Sequence, residues 1–249
     1  MKNILFIILI FSSSHLFAAG EIRNAPKQKW SFDGLTGQFD ISSIQRGYKV
    51  YREVCSGCHS MNLLYYRDLI DIGFSEDQVK VIASDYTVID GPNDEGEMFE
   101  RPAKPSDRFV SPYANDQEAR ISNNGSYPPD LSVIVKARKN GADYLYNLLL
   151  GYGEPPQDFE LSEGMYYNKW YEGHQISMAQ PLDDEYVDYD DGTDNSLPQL
   201  AEDVVTYLAW SAEPELEVRK NLGIKVILFF LITGLLFYLM KIRLWKDVS

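Results

Sequence analysis

The residues with the most distinctive chemistry in this chain are two cysteines and a histidine, arranged as Cys55-Ser-Gly-Cys58-His59. They include both cysteines of the 249 residues and one of the three histidines. Thiols at this spacing lie about one helical turn apart, so each can form a thioether with a vinyl group on the same edge of a porphyrin. His59 is then directed over the ring and can bind iron. The spacing therefore predicts one covalently attached c-type haem.

Three other uses of a C-x-x-C pair are a redox dithiol, half of a zinc site and a simple disulfide. A structural zinc ion requires four protein ligands, and the chain has no further cysteine to supply them. A disulfide across two intervening residues stays open on the sequence alone. The adjoining histidine and a predicted export signal favour haem over all three.

The N-terminal residues indicate that the chain is exported. Lys2 precedes an apolar run from Ile4 to Phe11, and small residues follow at positions 18–20. This order is typical of a secretory signal peptide, whereas the apolar run is too short to span a membrane. We expect residues 1–19 to be cleaved, which would deliver the rest of the chain to a compartment where haem can be joined to cysteine.

A second apolar segment, Leu222 to Met240, has the length and composition of a membrane-spanning helix. Large apolar residues surround the predicted helix, and its single charge, on Lys225, lies near one end. Basic residues flank both ends, so the distribution of positive charge does not set the orientation by itself. With the signal peptide, the pattern predicts residues 20–221 on the periplasmic side of a bacterial inner membrane and residues 241–249 in the cytoplasm.

The formal net charge is −14, and many acidic residues lie in two groups, within residues 90–100 and residues 183–194. This sign argues against nucleic acid as a partner, because nucleic-acid binding requires a basic surface. The two groups are either solvated surface or a docking face for a basic partner, and the composition does not choose between these interpretations.

The hydrophobic pattern predicts a few helices. Ser42 and Gln45 have the spacing of a capping box at the start of a helix that continues into the haem motif. Two more helices are expected over Ala142–Leu150 and Leu200–Ala212, and Asp130 is expected to cap a short helix that ends at Ala137.

Long loops are expected between these helices. The chain from Ile89 to Pro129 is rich in proline, glycine, asparagine and aspartate, and it shows little periodicity. No strand of useful length is predicted. So much irregular chain is unusual unless another component organises it, and a large flat cofactor is able to do so.

Electron transfer favours a six-coordinate iron, so a second axial ligand is expected opposite His59. Met61 follows His59 too closely to reach the opposite face. Met178 lies in an irregular loop ahead of the last helix of the soluble part, and His174 is its rival. The candidates in the mature chain outside the anchor are Met98, Met165, His174 and Met178.

Several segments, in order along the chain, resemble the cytochrome c1 family, the haem subunits of the quinol:cytochrome c oxidoreductase (the cytochrome bc1 complex). Residues 46–61, RGYKVYREVCSGCHSM, are similar to the family's haem segment, and residues 119–132, ARISNNGSYPPDLS, to its Asn-Asn-Gly and Pro-Pro-Asp-Leu-Ser signature. Residues 138–152 are similar to its Gly-x-Asp-Tyr helix and residues 173–182, GHQISMAQPL, to its methionine loop. The similarity continues through residues 187–214 into the anchor.

This resemblance implies an all-α fold: a class I cytochrome c-like haem domain with long loops, followed by one C-terminal transmembrane helix. It also implies how one haem c would be held. Cys55 and Cys58 would form the thioethers, His59 would be the proximal iron ligand and Met178 the distal ligand.

Two further roles follow from the resemblance. Arg120 would pair with a haem propionate, a contact that suits the geometry of a guanidinium group. Pro128 and Pro129 would shape the loop beside His59, where a backbone carbonyl could accept a hydrogen bond from the imidazole.

The resemblance also implies a function in electron transport. The protein would accept single electrons from the Rieske iron–sulfur subunit and pass them to a cytochrome c, beside cytochrome b in the same complex. The chain alone would carry out no substrate chemistry. Three alternatives stay open: a membrane-anchored cytochrome c that serves a terminal oxidase, a haem enzyme or gas sensor with an open distal site, and a non-haem protein with a disulfide.

Overall fold

The structure, a computed structural model, describes residues 25–246, so the predicted signal peptide lies outside the described residues. The described part is mostly helical, and the predicted all-α class is confirmed. Three short 3₁₀ segments span Cys55–Gly57, Tyr66–Ile72 and Glu172–His174. The helices are α1 (Ile41–Glu53), α2 (Glu76–Ser84), α3 (Asp116–Ser122), α4 (Gly141–Leu150), α5 (Leu197–Ala212) and α6 (Leu216–Trp245). The strands are β1 (Thr87–Asp90), β2 (Phe99–Pro102), β3 (Tyr166–Tyr167) and β4 (Gln175–Ile176).

Helix α1 leads directly into the haem motif, as predicted, but its N-terminal cap differs from the prediction. The cap is Asp40, whose carboxylate accepts hydrogen bonds from the N–H groups of Ser42 and Ser43 at 3.0 and 3.5 Å. Ser42, the predicted cap, is already inside the helix. A carboxylate satisfies the free N–H groups and also interacts favourably with the helix dipole, so aspartate provides the stronger cap here.

Helix α1 packs against α5, and the two backbones approach closely at Gly47. A β-carbon added to Gly47 would lie 2.0 Å from the carbonyl oxygen of Asp203, so any larger residue would push the helices apart. The fully buried Asp203 carboxylate accepts from Arg46 Nε at 2.8 Å and from Ser43 Oγ at 2.6 Å. An ion pair and a close backbone contact therefore fix the helix that carries the haem motif.

Two short antiparallel sheets correct the prediction that the chain has no useful strands. β1 pairs with β2 from Thr87 opposite Pro102 to Asp90 opposite Phe99, and β3 pairs with β4 over two residues. Together with α3, the β1–β2 hairpin gives regular structure to part of the region predicted as loops. The strands are too short for an alternating pattern to be recognised in the sequence.

The predicted helix from Asp130 to Ala137 is wrong, because this segment forms consecutive turns. The Asp130 carboxylate does accept the N–H of Ser132, but it also bonds to a distant segment, and the N–H of Leu131 donates to the carbonyl of Ser60 at 2.8 Å. These tertiary contacts replace the local bonds that a helix would need.

Among residues 25–246, one helix, α6, is long and apolar enough to cross a membrane. It begins at Leu216, which is buried against the soluble part. Lys220 Nζ donates to the carbonyl oxygens of Phe32 and Gly37 at 2.6 and 3.1 Å, so the N-terminal loop contacts the first turns of this helix. α6 is thus continuous with the core that positions the haem motif.

Candidate haem site

The Cys-x-x-Cys-His motif follows α1 in a single 3₁₀ turn. The N–H groups of Cys58 and His59 both donate to the carbonyl of Cys55, at 3.1 and 2.8 Å. Cys55 is half-buried and Cys58 is exposed, and no disulfide joins them. Burial raises the pKa of the Cys55 thiol to about 12.

The imidazole of His59 is oriented by a backbone carbonyl. His59 Nδ1 lies 2.8 Å from the carbonyl oxygen of Pro129. A carbonyl oxygen only accepts hydrogen bonds, so Nδ1 carries the proton and the lone pair is on Nε2. Burial lowers the pKa of His59, against the opposing effects of the Pro129 bond and of Asp130. A neutral imidazole with Nε2 available is the form that binds metal, so His59 fits the role of an iron ligand.

Met178 lies in the loop between β4 and α5, and its side chain is half-buried. Two contacts hold this part of the loop. The hydroxyl of Tyr152 donates to the Met178 carbonyl at 3.1 Å. The hydroxyl of the adjacent Ser177 lies 3.2 Å from the sulfur of Met165. The loop is therefore tied to the end of α4 and to the residue before β3.

The three other candidate ligands have different surroundings. His174 packs against Phe159 and Tyr167, with ring centroids 6.3 and 6.1 Å away, and its Nδ1 is buried without a hydrogen-bond partner. Met165 contacts Ser177, as described. Met98 is exposed on the β1–β2 hairpin. Met61, set aside on the sequence, is fully buried in the core.

Arg120 projects from α3 and is exposed. One guanidinium nitrogen donates to the carbonyl of Gly125 at 3.2 Å, and the group lies over the ring of Tyr127, 5.5 Å from its centroid. Within residues 25–246, no carboxylate lies within 4.0 Å of this guanidinium. The remaining donors are available for an anion, and a propionate is one.

One loop contacts the segments of both candidate iron ligands. Pro129 accepts from His59, and three residues earlier the hydroxyl of Ser126 donates to that of Ser177 at 2.7 Å, beside Met178. The loop belongs to the same segment as Arg120. The structure thus brings together the sequence neighbourhoods of the motif, the arginine and the methionine. Tyr152 and Ser126, which contribute to this arrangement, were not found on the sequence because neither belongs to a recognisable ligand pattern.

Clusters of His, Cys, Asp or Glu that could hold a metal ion by themselves are absent from the described residues. A thiol pair, one oriented imidazole and a thioether whose loop is joined to the same segment are instead the donor set of a c-type haem site. The residues present therefore fit the cofactor that the motif predicts.

Comparison with known proteins gives a consistent result. The Cytochrome C1 family profile matches residues 30–248. The chain is 49% identical over 201 residues to a mitochondrial cytochrome c1 haem protein of Arabidopsis thaliana, covering 81% of this chain and 66% of the relative. It is 44% identical over 239 residues to cytochrome c1 of Rhodospirillum rubrum, covering 90% and 88% of the two chains.

A mitochondrial cytochrome c1 haem protein of Saccharomyces cerevisiae is 42% identical over 227 residues, or 91% of this chain. The chain spans about two thirds of the length of the Arabidopsis relative and most of the Rhodospirillum one. The family profile covers the haem motif, the Arg120 segment, the methionine loop and the apolar helix in one match. This protein therefore belongs to the cytochrome c1 family, whose members carry covalently bound haem c, as the sequence predicts.

Proposed function

We propose that this protein is the membrane-anchored, electron-transferring c-type cytochrome subunit of a quinol:cytochrome c oxidoreductase. It takes single electrons from the Rieske iron–sulfur subunit and passes them to a cytochrome c. One observation supports this most directly: the loop with Ser126 and Pro129 contacts both the His59 segment and the Met178 segment. Such a loop suits a six-coordinate site, and full axial ligation suits electron transfer rather than catalysis at an open iron.

Cys55 and Cys58 would form the two thioethers, and His59 would bind iron through Nε2, since its Nδ1–H donates to Pro129. When bound, haem c supplies an iron that gains and loses one electron. Met178 is the distal ligand in this proposal. Its segment is joined to the Pro129 loop through Ser126 and Ser177, whereas the ring of His174 packs against the neighbouring rings of Phe159 and Tyr167.

Arg120 neutralises a propionate in this proposal. Its guanidinium uses one hydrogen bond within the chain, to Gly125, and stacks on Tyr127. Several N–H donors are thus free for a carboxylate, and a guanidinium binds a carboxylate in a fixed two-point geometry.

The proposed topology is that predicted on the sequence. Residues 1–19 are removed as a signal peptide, residues 20–221 form the periplasmic haem domain, and residues 222–240 anchor it in a bacterial inner membrane. The short tail, 241–249, is cytoplasmic. Protease added to intact spheroplasts should digest the haem domain and leave a C-terminal tag protected; digestion of the tag alone would contradict this orientation.

The proposed partners are cytochrome b and the Rieske subunit in the membrane and a basic cytochrome c in the periplasm. Both acidic groups are mainly exposed, but each is partly used within the fold. In the first group Asp90 pairs with Arg101. In the second, Asp190 pairs with Lys49 at 2.9 Å and Asp191 with Arg46 at 2.8 Å. The unpaired carboxylates supply the docking charge. The association rate should fall steeply with added salt, and a salt-independent rate would contradict charge steering.

The decisive experiment is purification of the full-length tagged chain from membranes in mild detergent. We expect a pyridine haemochrome spectrum of c-type haem and co-purification of a cytochrome b and a Rieske protein. A haem-loaded chain that migrates without them would favour the shuttle to a terminal oxidase. Rapid, complete binding of carbon monoxide to the reduced protein would contradict ligation by Met178 and favour an open-site haem protein.

A further inference from the structure

A network of hydrogen bonds centred on Asp130 lies beside His59. One carboxylate oxygen, Oδ2, accepts from the backbone N–H of Asn62 at 2.7 Å and from the hydroxyl of Ser60 at 2.9 Å. The other, Oδ1, accepts from the N–H of Ser132 at 2.9 Å. All three partners donate, so the site is suited to an ionised carboxylate, which only accepts.

The network joins two segments that are about 70 residues apart in the chain. The N–H of Leu131 donates to the carbonyl of Ser60 at 2.8 Å, and the N–H of Leu63 donates to the hydroxyl of Ser132 at 3.1 Å. Ser132 is fully buried and Ser60 nearly so. Buried polar groups that are all satisfied form a rigid junction, because breaking any one bond leaves a buried donor without a partner.

This junction controls the position of the carbonyl that orients His59. The carbonyl of Pro129 belongs to the planar peptide group that ends at the α-carbon of Asp130. Fixing Asp130 therefore fixes the plane and direction of the Pro129 oxygen, which lies 2.8 Å from His59 Nδ1. Ser60 directly follows His59, so the same carboxylate holds the chain on both sides of this bond.

We infer that Asp130 is a positioning residue for the proximal histidine: its carboxylate locks the Pro129 carbonyl against His59 and so sets the orientation and electron donation of the imidazole. The inference rests on the proposed role of His59 as iron ligand. A firmly held acceptor at Nδ1–H makes the imidazole a more basic ligand. A carboxylate beside it also favours the more positively charged, oxidised state of bound iron. Both effects lower the reduction potential.

The test is Asp130→Asn in the full-length, haem-loaded protein, with the reduction potential measured by spectroelectrochemical titration. An amide has one accepting oxygen, so at least one backbone N–H, of Asn62 or Ser132, would face an N–H group. We expect the ratio of reduced to oxidised protein at a fixed ambient potential to rise about tenfold, which equals about 59 mV for one electron. We also expect shifted or broadened g-values in the electron paramagnetic resonance spectrum of the ferric protein, because these values report the orientation of the axial imidazole.

Three further variants make the result specific. Asp130→Glu keeps the charge and should restore most of the potential. Ser60→Ala removes one donor and keeps the charge, so it should change the g-values with a smaller shift in potential. It also replaces Asp130→Asn as the test if that variant does not accumulate in cells. Asp107→Asn is the matched control: this carboxylate is also partly buried and accepts from a backbone N–H, that of Lys104 at 2.7 Å, but belongs to another loop. It should leave the potential unchanged.

Two failures are distinguishable. Wild-type potential and g-values in both Asp130→Asn and Ser60→Ala, with c-type haem attached, would overturn the positioning role and leave the proposed function intact. An equal rise in potential for Asp107→Asn would also overturn it. A wild-type protein without c-type haem in the pyridine haemochrome assay would instead overturn the proposed function itself.

Discussion

The two sides of the candidate haem site are supported in different ways. Cys55, Cys58 and His59 follow directly from α1, which is fixed on α5 by the buried Arg46–Asp203 ion pair. The Met178 loop has only short regular elements near it, the 3₁₀ segment Glu172–His174 and the two-residue pairing of β3 with β4, and individual side-chain bonds hold the rest. The position of the Cys55–His59 motif therefore depends on the cooperative packing of two helices. The position of the Met178 loop depends on a few contacts that can be broken one at a time.

This difference suits a protein that must retain a covalently bound haem and also set the reduction potential of its iron. Packed helices resist local opening, whereas loops held by single hydrogen bonds open at a lower free-energy cost. We therefore expect changes under α1 to affect global stability and changes in the methionine loop to affect ligation alone.

The largest effect is expected for Asp203→Ala. This change leaves the guanidinium of Arg46, whose side chain is 15% exposed, with only Asp191 as a partner, and it leaves the Ser43 hydroxyl without its acceptor. Breaking a buried pair costs about 3–5 kcal/mol. Because Arg46 keeps Asp191, the free energy of unfolding should fall by about 3 kcal/mol, the lower end of that range, in denaturant titrations followed by haem absorption. The control is Asp190→Ala, because this carboxylate is 91% exposed and pairs with Lys49. The control should cost at most about 1 kcal/mol. Equal losses of stability in the two variants would show that the Arg46–Asp203 pair between α1 and α5 has no special importance.

The next effect is expected for Met178→Leu, which removes a thioether and keeps the volume and shape of the loop side chain. Haem should stay covalently attached, while the sulfur-to-iron absorption band in the red disappears. The reduction potential should fall by on the order of 0.1 V, since methionine ligation raises it. Met165→Leu is the matched control, because Met165 contacts Ser177 in the same region. Retention of the red band in Met178→Leu would contradict Met178 as the distal ligand. Loss of the band in Met165→Leu would identify Met165 as the ligand instead.

A smaller effect is expected for Tyr152→Phe, which deletes the hydroxyl that donates to the Met178 carbonyl at 3.1 Å. Loss of one such bond costs about 1 kcal/mol. The red band should therefore disappear at a lower temperature than in the wild type, well before global unfolding. Tyr166→Phe, on the exposed strand β3, should leave that temperature unchanged. A parallel fall in global stability would mean that the loop is not separable from the core.

The smallest effect concerns acid. The hydrogen bond from the Thr193 N–H, and then Arg46, lower the pKa of Asp191 to about 2. A carboxyl whose pKa is lower in the folded state stabilises that state above its unfolded pKa, and this contribution is lost as the pH falls through the folded pKa. The protection factors of the amides in residues 183–194, which compare each exchange rate with its intrinsic rate at the same pH, should therefore fall between about pH 4 and pH 2. Asp191→Asn should abolish this pH dependence; an unchanged profile would show that the contact with α1 does not hold the loop.

Much of the framework was predictable because its signals are local. α4 and α5 confirm the helices expected over Ala142–Leu150 and Leu200–Ala212, since long periodic segments are the most readable pattern in a sequence. The apolar run within α6 is equally plain. The exact cap of α1 was missed, because Asp40 and Ser42 are both good caps and only the backbone conformation selects one.

The predicted helix at Asp130 failed for a different reason. Its carboxylate has donors in the segment Ser60–Asn62, about 70 residues earlier, and no local pattern contains that contact. The β1–β2 hairpin was missed because its four-residue strands carry mostly exposed side chains. Short elements of this kind depend on their partner and not on their own composition.

The sequence alone determined that a c-type haem is attached near Cys55 and Cys58 and that an apolar helix follows the soluble part. Both depend on neighbouring residues: a fixed thiol spacing and an unbroken apolar run. Only the tertiary structure decided which carbonyl of the Pro128–Pro129 loop accepts the hydrogen bond from His59, that Ser126 contacts Ser177, and which acidic residues are paired. Each of these is a contact between segments far apart in the chain, and such contacts form only when packing and burial have brought the segments together.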